Sequence, residues 1–379
     1  MLIDGASIIA ETTGSGTGGS ITISANQLDL VNNGNLNGRA SDGTGNAGDI
    51  SINADNFSSN TGLITLVTST NGTGGDLGIT SEQLDFSQAN LSASANGNGN
   101  AGVINISTSA GILRDGTSIS SDTTGNGIGG DIAISANNLD LITGAVITSS
   151  ATGPSDAGDV TLLVPDQLQI VSASVQTTSA QSGGGSIEIQ TQNRIRIDDG
   201  IISASANGVT ADSGGGNISI DPELFTIRQS RIVAQANAGT GGNINLVATN
   251  FIADTETLIS ASSQRGIDGN VEIESPNQAV NPISVELNTG FQDLPDFISN
   301  NCTSPAQRDR SYLVVQNMNP VRRDPADYLQ LRITQTPASA YQASPATEFS
   351  WIASPACRQS KTSSSALPSH LAPPTTSPV

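Results

Sequence analysis

The sequence predicts an all-β chain that winds into a right-handed parallel β-helix, a solenoid of about ten coils of ~27 residues each. Three observations support this prediction. A short motif recurs at a nearly constant interval, and apolar residues alternate with small polar residues around each copy. A third observation is compositional: 41 glycines suit tight turns, and an aromatic content of only 3% suits a narrow core.

The recurring motif is a glycine, usually a small polar residue, and then two apolar residues separated by one position. Successive motif glycines lie 26 to 31 residues apart, a regularity typical of a repeat architecture. Each unit is too short to bury an apolar face alone, so stacked units are expected to share one core. The ten anchor glycines are Gly19, Gly48, Gly75, Gly102, Gly130, Gly158, Gly185, Gly216, Gly242 and Gly269.

Each unit carries two further apolar stripes. A pair such as Leu28/Leu30 begins nine or ten residues after the anchor glycine, and a single position such as Leu91 or Ile202 follows sixteen or seventeen residues after it. Period-two alternation predicts strands with one buried face, so we expect three strands per coil and three parallel sheets. No segment has helical periodicity, which favours this architecture over folds whose parallel strands are joined by helices.

Composition divides the chain into segments. Residues 1–275 contain 40 of the 41 glycines but only three of the 16 prolines. The net charge of −20 lies on the same part, because residues 1–280 contain 7 Arg and 27 Asp+Glu, whereas the remainder has 7 of each sign. We predict β-helix repeats over residues 1–275, a C-terminal cap or anchor-like segment over 276–333, and a Pro/Ser/Thr-rich disordered segment over 334–379.

Charge and residue content exclude several functions. With Lys+Arg 14 against Asp+Glu 34, nucleic acid is not expected as a partner, because phosphate binding requires clustered cations. No run of 18 apolar residues is present, so no membrane-spanning helix is expected. The only histidine is His370 and the only lysine is Lys361, both in the C-terminal segment. A Ser-His-Asp arrangement on the solenoid is therefore excluded, and we predict a protein that is not an enzyme.

The first residues read as the middle of a repeat unit. Leu2-Ile-Asp-Gly-Ala-Ser-Ile-Ile9 resembles Leu113-Arg-Asp-Gly-Thr-Ser-Ile-Ser120, which lies inside a later unit. A solenoid normally caps its first open edge, so a chain that starts within a coil is expected to be a fragment of a larger protein.

A motif near the C-terminus points to a family. Cys302 precedes Ser311-Tyr-Leu-Val-Val315, then Pro320, then Asp324-Pro-Ala-Asp-Tyr-Leu329. With the Gly/Asn/Ser/Thr-rich repeats, this segment resembles the C-terminal part of filamentous haemagglutinin-type exoproteins of two-partner secretion systems, in particular the large exoproteins of cyanobacteria. One departure is that the family's Gly-Arg-Gly-Gly-Leu-Pro-Pro stretch is replaced by Asn317-Met-Asn-Pro-Val-Arg-Arg323.

The resemblance implies an adhesin-like protein that is extracellular or attached to the outer-membrane surface. Its implied partners are cell-surface carbohydrate or other exoprotein rods. An outer-membrane transporter is also implied, acting through an N-terminal secretion domain that these residues do not include. The composition and periodicity alone predict only an acidic β-solenoid.

One charge cluster is a candidate catalytic site. Ile195 and Ile197 are expected to point inward, which places the charged residues between and after them on one outward face. Carboxylates beside arginines could serve a polysaccharide lyase or hydrolase as acid, base or calcium ligands. The alternative, which we favour, is an ion-pair patch on a solvated face. The cluster comprises Arg194, Arg196, Asp198 and Asp199, with Arg228 and Arg231 about one coil later.

A second candidate is the aspartate that follows several anchor glycines. Asp49, Asp76, Asp131 and Asp159 occupy this position, where other units carry Ser, Asn or Val. Stacked carboxylates could bind Ca²⁺ as a weak cofactor along the turns, which would make the chain a calcium-stabilised surface-layer component. The favoured alternative is that these side chains bond the backbone of their own turns. No other cofactor is expected.

Cys302 and Cys357 are the only cysteines. An even number in an extracellular protein allows one disulfide that closes a loop, and two free thiols are the alternative. The sequence leaves both open.

Overall fold

The computed structural model describes residues 1–69 and 71–278 of the chain. This part contains 26 β-strands and no helix, and neighbouring strands pair in parallel from one coil to the next. The predicted all-β parallel β-helix is therefore confirmed as a parallel β-solenoid of about ten turns.

The strands form two sheets, and every coil contributes to both except the last described one, which contributes only to the larger sheet. The larger sheet consists of β1 (Leu2–Asp4), β3 (Ile21–Val31), β5 (Ile50–Asn60), β7 (Leu77–Ser87), β9 (Ile104–Arg114), β11 (Ile132–Ile142), β13 (Val160–Leu163), β14 (Gln167–Val171), β16 (Ile187–Gln190), β17 (Arg194–Asp198), β19 (Ile218–Asp221), β20 (Leu224–Arg228), β22 (Ile244–Val247), β23 (Asn250–Ala253), β25 (Val271–Glu274) and β26 (Asn277–Gln278). The smaller sheet consists of β2 (Ser7–Ile9), β4 (Asn35–Asn37), β6 (Leu63–Thr65), β8 (Asn90–Ser92), β10 (Ser118–Ser120), β12 (Val146–Ala151), β15 (Ser174–Ser179), β18 (Ile201–Ala206), β21 (Arg231–Val233) and β24 (Leu258–Ser260).

The structure differs from the expectation of three sheets. The stretch that follows the anchor glycine and the apolar pair nine or ten residues later form the first two segments of a coil, and both belong to one sheet. From β3 to β11 a single 11-residue strand covers both segments. From β13 onwards the two segments are separate strands. Pro165 and Pro222 lie at this separation, and proline has no N–H with which to continue a ladder. In the coil between them, the N–H groups of Gln192 and Asn193 both donate to the carbonyl of Pro165.

The core is built from columns of apolar side chains in direct register, as the alternation predicts. Phe225 and Ile227 of β20 are both 0% exposed, and the residues beside them in the strand face outward. The Phe57 ring packs edge-on against Phe86, with 4.9 Å between ring centroids. One continuous column consists of Ile21, Ile50, Leu77, Ile104, Ile132, Val160, Ile187, Ile218, Ile244 and Val271.

The anchor glycines also form a column. A Cβ atom built on Gly102 would overlap the backbone carbonyl of Gly75 in the preceding coil, and the same relation to the preceding anchor recurs from Gly48 to Gly269. The repeated glycine is thus a packing requirement, since only glycine leaves room for the carbonyl beneath it.

Candidate functional site

Three members of the predicted charge cluster come together on the outer face of the larger sheet. Arg196 and Asp198 face outward on β17, and Arg228 is paired with Asp198 in register from β20. The Asp198 carboxylate accepts hydrogen bonds from Arg196, with Nη2 to Oδ2 at 2.9 Å, and from Arg228. The Asp198 side chain is only 16% exposed, so it lies beneath the two guanidinium groups.

These contacts determine the ionisation of the carboxyl group. The hydrogen bond from Arg228, followed by that from Arg196, holds the pKa of Asp198 below its ordinary value, against a smaller opposing effect of burial. A carboxylate that is stabilised in its charged form and bonded to two arginines is poorly suited to donate a proton. The arrangement matches an ion-pair patch better than an acid or base of catalysis.

The other three residues of the predicted charge cluster make different contacts or lie on the other sheet. Asp199 lies in the turn after β17 with a φ of 52°, and its Oδ2 accepts a hydrogen bond from Ser172 Oγ at 3.0 Å. The same left-handed turn recurs in other coils with different residues, for example at Thr143, so the position serves the turn. Arg194 donates to Oε1 of Gln167 on β14. Arg231 lies on the smaller sheet, paired with Ile201.

The aspartates after the anchor glycines bond to the next coil rather than to their own turn, which corrects the interpretation favoured from the sequence. Oδ1 of Asp49 accepts from the backbone N–H of Asp76 at 2.9 Å, and Oδ1 of Asp76 accepts from the N–H of Val103 at 2.8 Å. Equivalent bonds connect Asp131 to Asp159, Asp159 to Ser186, Asn217 to Asn243, and Asn243 to Asn270.

Asparagine makes the same bond as aspartate in this column, and this leads to a prediction. Replacing Asp76 with asparagine keeps the acceptor and removes a like charge stacked on Asp49, so stability is expected to be unchanged or slightly higher. Replacing Asp76 with alanine leaves the N–H of Val103 without its partner and is expected to cost about 1 kcal/mol. Urea denaturation of both variants checks this, and equal losses would contradict a hydrogen-bonding role.

The calcium alternative is tested on the same protein. In residues 1–69 and 71–278, no group of three or more His, Cys, Asp or Glu side chains is placed to hold a metal ion. We expect a calcium chelator to leave the melting temperature of the unaltered chain unchanged. If the chelator lowers the melting temperature of the unaltered chain but not that of Asp76→Asn, the result would instead favour a calcium site in this column.

The outer face of the smaller sheet carries rows of hydroxyl groups. Oγ atoms of Ser203 and Ser205 lie 2.8 Å apart, and Ser150 Oγ donates to Asp122 Oδ1 at 2.8 Å. Burial raises the pKa of Asp122, while its hydrogen bond with Ser150 acts in the opposite direction. We call this surface the hydroxyl face; its side chains are Ser92, Ser94, Ser120, Asp122, Thr148, Ser150, Gln176, Thr178, Ser203 and Ser205.

Two grooves lie at the corner where the first two strands of a coil separate, next to a row of three exposed side chains that we call the ridge. The ridge side chains Asp166, Asn193 and Glu223 are all exposed. A groove of about 520 Å³, here called the axial groove, is lined by these three residues and by a row of one residue from each of five successive coils, here called the floor. The floor residues are Asn138, Gln167, Arg194, Leu224 and Asn250.

The second groove, of about 590 Å³, also reaches the ridge, because Glu223 lines both grooves. It is lined by Pro165 and Pro222 together with the carboxylates of Glu188, Asp221 and Glu223. Sequence reasoning identified neither groove. The signal that could have indicated them is the pair of prolines, since they interrupt the period-two pattern of the larger sheet at this corner.

Several predictions concern residues beyond those described. Cys302 and Cys357, the segment 334–379 and nearly all of the segment 276–333 lie outside the described residues. Within the described residues, no helix has the length and apolar character needed to cross a membrane.

The fold and surfaces define the class of protein: a parallel β-solenoid in which aspartates and asparagines bond successive coils and shallow polar grooves follow one corner. No family model, curated protein or solved structure matches the chain.

Proposed function

We propose that this chain is a non-enzymatic structural and adhesive solenoid of the cell exterior, part of a larger haemagglutinin-like exoprotein exported by a two-partner system. The observation that carries the proposal is the character of the surface. Its candidate binding surfaces are long, shallow and repetitive, and the one charge cluster that suggested catalysis is occupied by its own ion pairs.

The repetition of polar groups supports adhesion. Ser120 and Thr148 of the hydroxyl face are paired in register on neighbouring strands, so their hydroxyls recur at the strand spacing of about 4.8 Å. Each hydroxyl both donates and accepts hydrogen bonds, which suits carbohydrate or a second rod. Individually weak contacts that repeat along a rigid surface add up to firm attachment.

The backbone supports a structural role. Coils are joined by parallel ladders, by the column of Asp and Asn side chains, and by the close packing of the anchor glycines. These contacts connect each coil only with its neighbours, so further coils extend the same core without changing it. The resemblance of the C-terminal motif to secreted exoproteins supports a place outside the cell.

The alternative function is that of a polysaccharide lyase or hydrolase at Asp198. The test incubates the full chain with a panel of insoluble polysaccharides, using serum albumin as an acidic control protein. We expect retention of the chain on at least one polysaccharide, with no new reducing ends and no unsaturated products. Reducing ends that disappear in Asp198→Asn would overturn the proposal in favour of an enzyme. An absence of both retention and self-association would overturn adhesion.

A further inference from the structure

We propose that the axial groove binds an uncharged polysaccharide chain that lies parallel to the solenoid axis. This inference rests on the proposed adhesive function and specifies its ligand class and its site.

The geometry of the floor sets the direction of the ligand. The five floor residues are paired with one another in direct register, from Asn138 to Gln167 to Arg194 to Leu224 to Asn250. A row of this kind follows the axis, with one residue in each coil and about 4.8 Å between neighbours. It therefore spans roughly 19 Å over its four steps. An extended sugar polymer advances by a similar length per sugar unit, so each coil can meet one unit.

The chemistry of the lining fits hydroxyl groups. Amides, carboxylates and a guanidinium together supply both donors and acceptors, as sugars with neighbouring hydroxyls require. Two contacts between coils hold these groups in place: Arg194 donates to Gln167, and Asn193 Nδ2 donates to Asp166 Oδ1 at 3.3 Å. Side chains that are already oriented lose less entropy when a ligand binds. Leu224, which is half-buried, adds an apolar contact for the C–H face of a sugar.

Charge selects among polysaccharides. The lining contains one cation, Arg194, and two carboxylates, Asp166 and Glu223. The chain as a whole carries −20. An anionic polymer would be repelled both by the lining and by the field of the whole chain. An uncharged polymer can donate hydroxyl protons to the carboxylates and accept hydrogen bonds from the guanidinium and amide groups.

The groove belongs to a particular part of the solenoid. It extends from β11, the last of the unbroken strands, to β23, so four of its five coils have separate first and second strands. The same row continues through Ala110 into earlier coils as Gln83 and Asn56, which are not among the lining residues of the groove. The chain therefore supplies a matched control, with the same residue types in the same row but away from the groove.

The test measures retardation of the full chain in native gels that contain galactomannan, hydroxyethyl cellulose or dextran as uncharged probes, or polygalacturonate as an anionic probe. We expect retardation by at least one uncharged polymer and none by polygalacturonate. The double variant Asn138→Ala/Gln167→Ala is expected to bind about tenfold more weakly. The control Asn56→Ala/Gln83→Ala is expected to bind as the unaltered chain does. Circular dichroism confirms that both variants are folded.

The outcomes separate this inference from the proposed function. If the unaltered chain binds but the two double variants behave alike, the groove is not the site, although adhesion still stands. Stronger binding of polygalacturonate than of the uncharged polymers would overturn the ligand class. If the unaltered chain binds none of these polymers, the groove inference fails, while retention on other polysaccharides or self-association would still support the proposed function.

Discussion

Replacing Gly102 with alanine is expected to lower the free energy of unfolding of the solenoid by about 3 kcal/mol. The added Cβ would overlap the carbonyl of Gly75, and it would lie 3.1 Å from the carbonyl carbon of Gly74. These are backbone atoms of the adjacent coil, so they cannot move aside as a flexible side chain would. Relief requires that two coils separate, which weakens the ladder hydrogen bonds on both sides of the contact.

The matched control is Gly78→Ala, one coil away. No atom lies within 4 Å of the position that its Cβ would occupy, and Gly78 lies within strand β7. Alanine there is expected to be neutral or slightly stabilising, because it reduces the conformational freedom of the unfolded chain. Urea denaturation followed by circular dichroism measures both variants. If Gly102→Ala and Gly78→Ala have equal stability, successive anchor glycines are not stacked in the way the structure places them.

Replacing Phe225 with alanine is expected to cost about 3–5 kcal/mol. Phe225 is fully buried, and its ring packs against Phe251 of the next coil, with 5.4 Å between centroids. Truncation removes apolar contacts and leaves a cavity between coils. Parallel ladders hold the coils at a fixed spacing, so the neighbouring side chains can fill that cavity only in part.

The neighbouring residue provides the control. Leu224 precedes Phe225 in β20 but faces outward and is half-buried. Leu224→Ala is expected to cost less than about 1 kcal/mol, because it removes less buried area and opens no internal cavity. Chemical denaturation gives the free energy of unfolding of both variants, and so compares the inward and outward faces of β20. A larger loss for Leu224→Ala would mean that β20 is shifted by one residue, which would turn its whole apolar set outward.

Local periodicity was sufficient to predict the fold. Period-two alternation specifies which side chains of each strand face inward, and ten regularly spaced glycines specify where each coil begins. In a solenoid each coil contacts its neighbours, and residues at equivalent positions lie directly above one another. A one-dimensional repeat therefore contains almost all of the three-dimensional register, as the column from Ile21 to Val271 demonstrates.

The candidate site was predicted only in part. The outward face of β17 followed from the alternation around Ile195 and Ile197, but the Arg228 contact with Asp198 joins residues from two coils. Asp76 was assigned to its own turn because local reasoning considers nearby backbone first. Its actual partner, the N–H of Val103, lies 27 residues further along the chain.

The coil length, the glycine column and the set of inward-facing side chains can be predicted from the sequence. They depend on contacts that recur once in every repeat unit. The grooves beside the ridge cannot be read in this way. They arise where Pro165, Pro222 and the coil between them open the corner of one sheet, and their depth depends on how four or five successive coils pack there. Tertiary packing alone decides which polar side chains line that opening, since a concave surface is a property of neighbouring coils and not of any single one.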